Sequence, residues 1–486
     1  MATAVHTIGR DSAIVPSLSR QAQVEWASRT MSSRLLVLRK ARHLFAAHGT
    51  DLADALSSHL ARNRADSLVA EVLPLLAACK FLETEAADIL KERRLGRRGL
   101  PFWLAGLSTV IERVPCGVVL IIAPSNYPLF LPGVQTLQAL AAGNAVVWKP
   151  GAGGHRVAVL FASLMQDAGL PEGLLRITDE TVAAGRAALC EGSDKIFFTG
   201  SFEVGRAILQ VAATTATPVV AELSGCDAVI VLPSADADRV VDALAFGMKL
   251  NGSATCMAPR RLFLVGSKHS ALLHGLQQRF EAMDGVALPE TVRRKLLTLL
   301  DEARAQGATI CGDASAPQCK PILVLGGTPK MRIAQADIFA PVLTVLQVED
   351  DDEVVAADAV CPMGLTAALF GDERAAQRLG GRLKVGTVLI NDLIVPTADP
   401  RVSFSGRRNS GYGSTRGAEG LLEMTTPKVV AVRRSASRRH FSPTTGEHES
   451  FFHAIIMATH AGPVRSRVRA LRQFVLAAKR VDKLDT

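Results

Sequence analysis

The chain has 486 residues, 48% apolar and 21% charged, with a formal net charge of +9. That length exceeds one ordinary core and predicts two or three domains, while the lack of any run of about 18 uncharged apolar residues argues against a membrane-spanning segment. The positive excess is uneven: residues 430–486 hold 11 lysines and arginines against 4 acids, so +7 of the +9 lies in a tail, and the nearly neutral body argues against a nucleic-acid partner.

The first residues lack the basic start and apolar stretch of a secretory signal. The eight cysteines, at 79, 116, 190, 226, 256, 311, 319 and 361, form no C-x-x-C pair. They suit reduced thiols in the cytoplasm and no metal site, and all but Cys256 read as small buried hydrophobes.

In chain order, residues 21–95 read as helices, with Leu35, Leu36, Leu38, Leu56 and Leu60 in Ala-rich, Gly-poor stretches. Residues 99–113 are mixed and basic. The β-branched run 118–122 predicts a buried strand, followed by a helix at 137–142, a strand at 144–148 and a helix at 156–168 closed by Gly169 and Pro171. Strands follow at 195–199, 219–223 and 228–232. After Cys256 come a strand at 261–265, a helix at 270–283, strands at 322–325 and 343–348, a helix at 374–379 and a strand at 387–390. Strands alternating with helices predict α/β architecture, with two doubly wound parallel sheets. There is no internal repeat, and the Arg-rich tail is the only biased stretch.

Three short segments carry chemistry. Cys256 stands in Asn251-Gly252-Ser253-Ala254-Thr255-Cys256-Met257-Ala258-Pro259, Glu222 in Ala221-Glu222-Leu223-Ser224-Gly225, and Asn126 in Pro124-Ser125-Asn126-Tyr127-Pro128. A thiol can attack a carbonyl, a carboxamide can hold the oxyanion, and a carboxylate can activate water to release the product. The apolar run before Glu222 predicts partial desolvation and a raised carboxyl pKa.

This set resembles the aldehyde dehydrogenase superfamily, over about residues 35–432. The resemblance implies Cys256 as nucleophile, Asn126 and the Cys256 N–H as oxyanion donors, and Glu222 as general base. Asn144-Ala145-Val146-Val147-Trp148-Lys149-Pro150 is similar to the family's strand ending in the lysine that binds the adenine ribose, which implies that role for Lys149. Three residues on, where the family often has a ribose-gripping glutamate, stands Ala152. With His155 and Arg156 nearby, this makes NADP plausible alongside NAD. Phe198-Thr199-Gly200-Ser201-Phe202-Glu203-Val204-Gly205 resembles the cofactor turn, implying Gly200, Ser201 and Gly205 near the pyrophosphate. Asp337 and Phe339, in Ala336-Asp337-Ile338-Phe339-Ala340-Pro341, resemble the family's nicotinamide-side Glu-x-Phe, with an acid one methylene shorter. Phe404, in the loop 403–413, and Ser125, where the family has an aromatic residue, are the expected tunnel walls.

The resemblance also implies a division into a cofactor-binding domain (1–95 and 116–223), a catalytic domain (224–401), a bridging and oligomerisation element with the return loop (96–115 and 402–433) and a basic extension (434–486). It implies a homodimer or homotetramer acting on a small-molecule aldehyde. Alternatives are a CoA-acylating enzyme, against which Glu222 counts, and a catalytically silent scaffold. In the extension, Val464, Val468, Leu471, Val475 and Ala478 share one helix face among arginines and lysines. That pattern suits packing on the body or a neighbouring subunit, or peripheral contact with anionic lipid.

Overall fold

The computed structural model describes residues 17–56, 60, 62–267, 269–434, 439–441 and 443–481. The start of the expected cofactor domain, residues 1–16, and residues 435–438, 442 and 482–486 of the extension therefore lie outside the described residues. The chain forms two compact units, one of residues 1–92 and 112–428, the other of residues 93–111 and 429–486.

The larger unit starts with helices. α1 (Met31–Ala47) is capped by Thr30, whose hydroxyl accepts the Ser33 N–H at 3.2 Å. It buries Leu35, Leu38, Ala41 and Phe45, and α2 (Leu73–Ile89) buries Leu75, Cys79, Leu82 and Ala86. Both show the three-to-four-residue spacing of one apolar helix face.

The first sheet is built from β1 (Val118–Ile122), β2 (Ala145–Lys149), β3 (Leu175–Ile177), β4 (Lys195–Thr199) and β5 (Val219–Glu222), all parallel to their neighbours. Every residue of β1 is buried, as expected for a strand covered on both faces. Helices α3 (Phe130–Ala142), α4 (His155–Asp167) and α5 (Phe202–Thr215) cross over between the strands. Trp148 of β2 packs edge-on against Phe161 of α4 at 5.3 Å, and Phe161 stacks on Phe45 of α1 at 4.7 Å.

The second sheet contains β6 (Asp227–Val231), β7 (Pro259–Val265), β8 (Thr309–Cys311), β9 (Ile322–Leu325), β10 (Val342–Val348), β11 (Thr366–Phe370) and β12 (Thr387–Ile390). Its order is β8-β9-β10-β7-β6-β11-β12, with only β8 antiparallel to its neighbour. Alternate residues serve two cores: Val229, Leu262 and Leu264 face one, Ile230, Phe263 and Val265 the other. Helices α6 (Ala237–Lys249) and α7 (Glu290–Ala305) belong to this half. The sequence reading did not anticipate α6, α7, β3, β8 or β11.

The chain then returns. β13 (Gly411–Tyr412) pairs antiparallel with β5, giving the first sheet the order β13-β5-β4-β1-β2-β3 among the described residues. After it, α8 (Gly417–Glu423) packs with α2 and α3.

In the smaller unit, Arg93–Leu95, expected as the end of the helical stretch 21–95, is instead a strand; it pairs antiparallel with residues 109–111 of the strand Leu107–Pro115, in a stretch read from sequence only as mixed and basic. Helices α9 (Glu449–His460) and α10 (Val464–Val481) pack together, with Phe451 stacked on Phe474 at 5.3 Å. Of the cysteines expected to be buried, Cys79, Cys226, Cys319 and Cys361 are so. Cys116 and Cys311 are partly buried, and Cys190 is exposed, a correction: its helix, residues 182–191, turns that side to solvent.

Candidate active site

Strands β1 and β4 are neighbours, yet the chain leaves them toward opposite sides of the sheet. Such a switch point opens a crevice at the strand ends, where α/β sheets bind ligands. The loop after β1 carries Asn126, the turn after β4 carries Gly200 and Ser201, and β5 ends at Glu222.

Cys256 follows α6 through a tight turn in which Asn251, Gly252 and Ser253 take left-handed backbone, φ 52°, 57° and 64°. Only glycine adopts this freely, so the turn is held from outside. Arg260, itself buried, donates to the Ser253 hydroxyl at 2.9 Å and to its carbonyl at 2.6 Å. The Asn251 carboxamide donates to the carbonyls of Ala254 and Asn126, each at 3.0 Å.

Asn126 shares this frame. Its side-chain NH₂ donates one hydrogen to the Ala254 carbonyl at 2.9 Å, leaving the other for a ligand. The Cys256 N–H has no partner among the described residues. Two donors, one of them two residues downstream of the carbonyl that anchors the other, are thus available to an oxyanion. Tyr127 ties the same loop to Thr255, hydroxyl to hydroxyl at 2.9 Å. Arg62 donates to the Asn126 carbonyl at 3.2 Å and forms a buried ion pair at 2.7 Å with Glu71, which accepts the N–H groups of Leu129 and Phe130 at the start of α3.

Glu222 is 4% exposed and accepts a hydrogen bond from the Thr415 hydroxyl at 3.2 Å. Burial raises its carboxyl pKa, opposed by the positive charge of Arg416 and by the Thr415 bond. Burial also pushes the Cys256 thiol well up, and the carboxylates of Glu222, Asp227 and Asp337 add to this while Arg416 opposes it. Without a further positive charge, the thiol is therefore protonated at neutral pH.

Cys256 and Glu222 line one cavity of about 480 Å³. Its wall includes Val69, Leu73, Phe246, Met257, Ile394 and Phe404, and its other polar members are Tyr127, Thr397 and Arg416. Ser125 is not in this wall: it is exposed, and Tyr127 takes the lining position instead. The chain bends through residues 125–127, so the spacing of an extended strand does not fix which of these side chains faces the cavity.

Arg416, Thr415 and Asn251 were not singled out from sequence. Arg416 is buried, with φ 61°; its guanidinium carbon lies 4.5 Å from the Phe404 ring centre and 5.6 Å from that of Phe130. One nitrogen donates to the Thr397 carbonyl at 2.6 Å, while Nε has no partner. An arginine directly before Gly417 in a turn, close after the 403–413 loop, was the one available sequence signal.

The remaining residues frame the switch point. Ser201 caps α5, accepting the Val204 N–H at 3.3 Å. A side chain at Gly200 would meet Phe198 at 2.5 Å, and one at Gly205 would meet Leu223 at 2.6 Å, so the helix start lies bare and close to the sheet. A bare capped helix start fits a dinucleotide pyrophosphate. Asp337 accepts a short hydrogen bond from the Ser224 hydroxyl, and that oxygen accepts the Phe202 N–H at 3.2 Å. Phe339 is partly buried nearby in sequence. Lys149 ends β2, where desolvation lowers its pKa against the raising charges of Glu180 and Asp179. The corner expected to lack carboxylates thus receives two from the loop after β3. Glu180 accepts the His155 N–H at 3.0 Å and shares a cavity wall with Asp179, His155 and Arg156.

This fold and site define an NAD(P)-dependent dehydrogenase that oxidises aldehydes through a cysteine. The chain belongs to the aldehyde dehydrogenase family, whose sequence profile matches residues 11–430. It is 30% identical over 431 residues to a 4,4'-diapolycopene aldehyde oxidase from a Methylomonas species, covering 86% of this chain and 81% of that protein. It is 30% identical over 452 residues to the NADP-dependent succinate-semialdehyde dehydrogenase of Deinococcus radiodurans, covering 86% and 90%. Among solved structures, the NAD⁺ complex of Staphylococcus aureus betaine aldehyde dehydrogenase superposes with a TM-score of 0.80 at 25% identity, covering 88% of each chain.

Proposed function

We propose that the protein oxidises an apolar aldehyde to its carboxylate with NAD(P)⁺, as a cytoplasmic homodimer or homotetramer. The observation that carries the substrate class is the cavity: apart from the reacting groups, Arg416 and two hydroxyl side chains, its wall is apolar. A diapolycopene aldehyde, named for one relative, suits such a wall better than the succinate semialdehyde named for the other.

In this reading the first sheet forms the cofactor layer and the second the catalytic layer. Gly200, Ser201, Gly205 and Lys149 would hold the dinucleotide, and Asp337 and Phe339 its nicotinamide end. When bound, the nicotinamide supplies the hydride acceptor. Cys256, giving up its thiol proton to water, adds as the thiolate to the aldehyde carbon, with Asn126 and its own N–H donating to the resulting oxyanion. Loss of hydride leaves a thioester on Cys256. Glu222, whose pKa is raised by burial, takes a proton from water, whose oxygen displaces the Cys256 sulfur and yields the acid.

The test is rapid mixing with a series of straight-chain aldehydes, with and without CoA. kcat/KM should rise by about fourfold per added methylene until the cavity is filled, from ~0.8 kcal/mol per buried CH₂. Glu222→Gln should give one equivalent of NAD(P)H per site and then stall by about 10²–10⁴-fold, with a thioester on Cys256 seen by intact mass. Cys256→Ala should give no burst. Parental turnover in Glu222→Gln, or rescue by CoA to an acyl-CoA, would overturn the hydrolytic assignment. A preference for short charged aldehydes would overturn the substrate class.

A further inference from the structure

The net positive charge of this chain belongs to one of its two units. Residues 93–111 and 429–486 hold 15 lysines and arginines against 4 acids, whereas the remainder holds 40 against 42. The smaller unit is therefore +11 and the larger −2. Such a split marks a partner of opposite charge for the smaller unit.

Helix α10 contains no acid, and it has two apolar faces. Ala470, Phe474 and Ala477 turn inward: both alanines are buried, and Phe474 stacks on Phe451 of α9. The other face has no partner among the described residues. Val464 is 72% exposed, Val468 49%, Leu471 52% and Val475 52%. These four lie at i, i+4, i+7 and i+11, a continuous stripe along the helix. Arg467 and Arg472 flank it, with Arg465 and Arg469 further round.

A second segment of the same unit repeats the combination. Phe102 and Trp103, 48% and 49% exposed, follow Arg97-Arg98 after three intervening residues, and Phe102 packs edge-on against Phe474 at 5.8 Å.

We infer that the smaller unit docks on an anionic phospholipid surface, with the Val464–Val475 face of α10 lying in the headgroup layer and the flanking arginines reaching the phosphates. Three occupants compete for such a face. A nucleic acid would take the charge but would leave the valine–leucine stripe in water. A second copy of α10 would cover the stripe but would oppose arginine to arginine, with no acid on either helix to pair them. An anionic bilayer satisfies both, the arginine stems lying along the apolar boundary and their heads in the phosphates. No helix among the described residues is long and apolar enough to cross a membrane, so this contact is peripheral. On the reading that the substrate is apolar, the same surface is where that aldehyde would be dissolved.

The experiment is vesicle flotation of the full chain, without substrate, on phosphatidylcholine alone and with about one-third phosphatidylglycerol. The expected result is about tenfold more protein floating with anionic vesicles, weakened by salt. Leu471→Asp with Val468→Asp should abolish flotation, and Arg465→Gln with Arg467→Gln and Arg472→Gln should remove the preference for anionic lipid. Oxidation of a short, water-soluble aldehyde should be unchanged in both variants, which shows that they fold and separates this test from that of the catalytic reading. Parent protein that does not float, or variants that float like the parent, would overturn the inference. So would a parent that leaves vesicles alone while the Asp variant dissociates it into smaller species, since the face would then be an interface between copies.

Discussion

Arg416 carries two separate penalties: a left-handed backbone that costs about 1–3 kcal/mol in a residue with a Cβ, and a buried guanidinium with one nitrogen unpaired. Such costs persist where the charge is used. Its field favours the ionised forms of both Cys256 and Glu222, against a burial that favours their neutral forms. Arg416→Met should thus shift the pH–kcat/KM profile to higher pH and lower neutral-pH activity by about 10²-fold, with partial recovery in Arg416→Lys. Steady-state rates from pH 6 to 10 check this, and an unmoved profile would assign Arg416 to packing alone.

Asp227 shows the same physics acting on stability. It is buried, accepts the Thr366 N–H at 3.2 Å and its hydroxyl at 2.5 Å, and burial raises its pKa to about 7. Since the folded pKa exceeds the ordinary 3.8, the folded state holds this proton more tightly than the unfolded state. The stability it contributes is complete below the unfolded pKa and is lost as pH rises through about 7. Asp227→Asn keeps the shape and cannot ionise, so its Tm should fall less than the parent's between pH 5 and 8.

At the scale of elements, the β-branched strands were legible: residues 118–122, 195–199, 322–325 and 387–390 were expected and found at the same bounds. β11 was not, because Thr366-Ala367-Ala368-Leu369-Phe370 has two alanines among its five residues and no alternation to betray it. The helix α7 begins with Glu290, Arg293, Arg294 and Lys295, which masked the regular face of Leu296, Leu299, Leu300 and Ala303. Three left-handed residues in a row before Cys256 have no sequence signature when one is serine. The thiol, carboxamide and carboxylate could be read from their motifs. The atoms that hold them in place, from Asn251, Arg260 and Thr415, could not, because those contacts form only once distant segments meet.

α6 illustrates how tightly that support is built. A Cβ at Gly247 would stand 2.7 Å from Pro259 Cδ and 2.8 Å from Leu393 Cδ2. Alanine would gain about 1 kcal/mol of helix propensity. The proline ring cannot yield, so overpacking at about 1–3 kcal/mol should win. Gly247→Ala is expected to be destabilised in urea and, because α6 leads into Cys256, slower to acylate. A net gain in stability would show that the strand gives way instead.

Across the whole molecule, Glu222 receives its Thr415 hydrogen bond from 193 positions away, and Leu223 donates to the Ser410 carbonyl at 3.0 Å. Sequence separations this long delay closure until both partners are present. On the ribosome, Cys256 emerges with its turn and Glu222 with its strand long before β13 exists to cover that edge. A nascent chain stopped before Ser410 should accordingly fold much of its first sheet yet fail to turn over added aldehyde and cofactor, which assays on stalled chains can read. Turnover should therefore begin only when the segment holding Ser410 and Thr415 has left the exit tunnel and closed on β5.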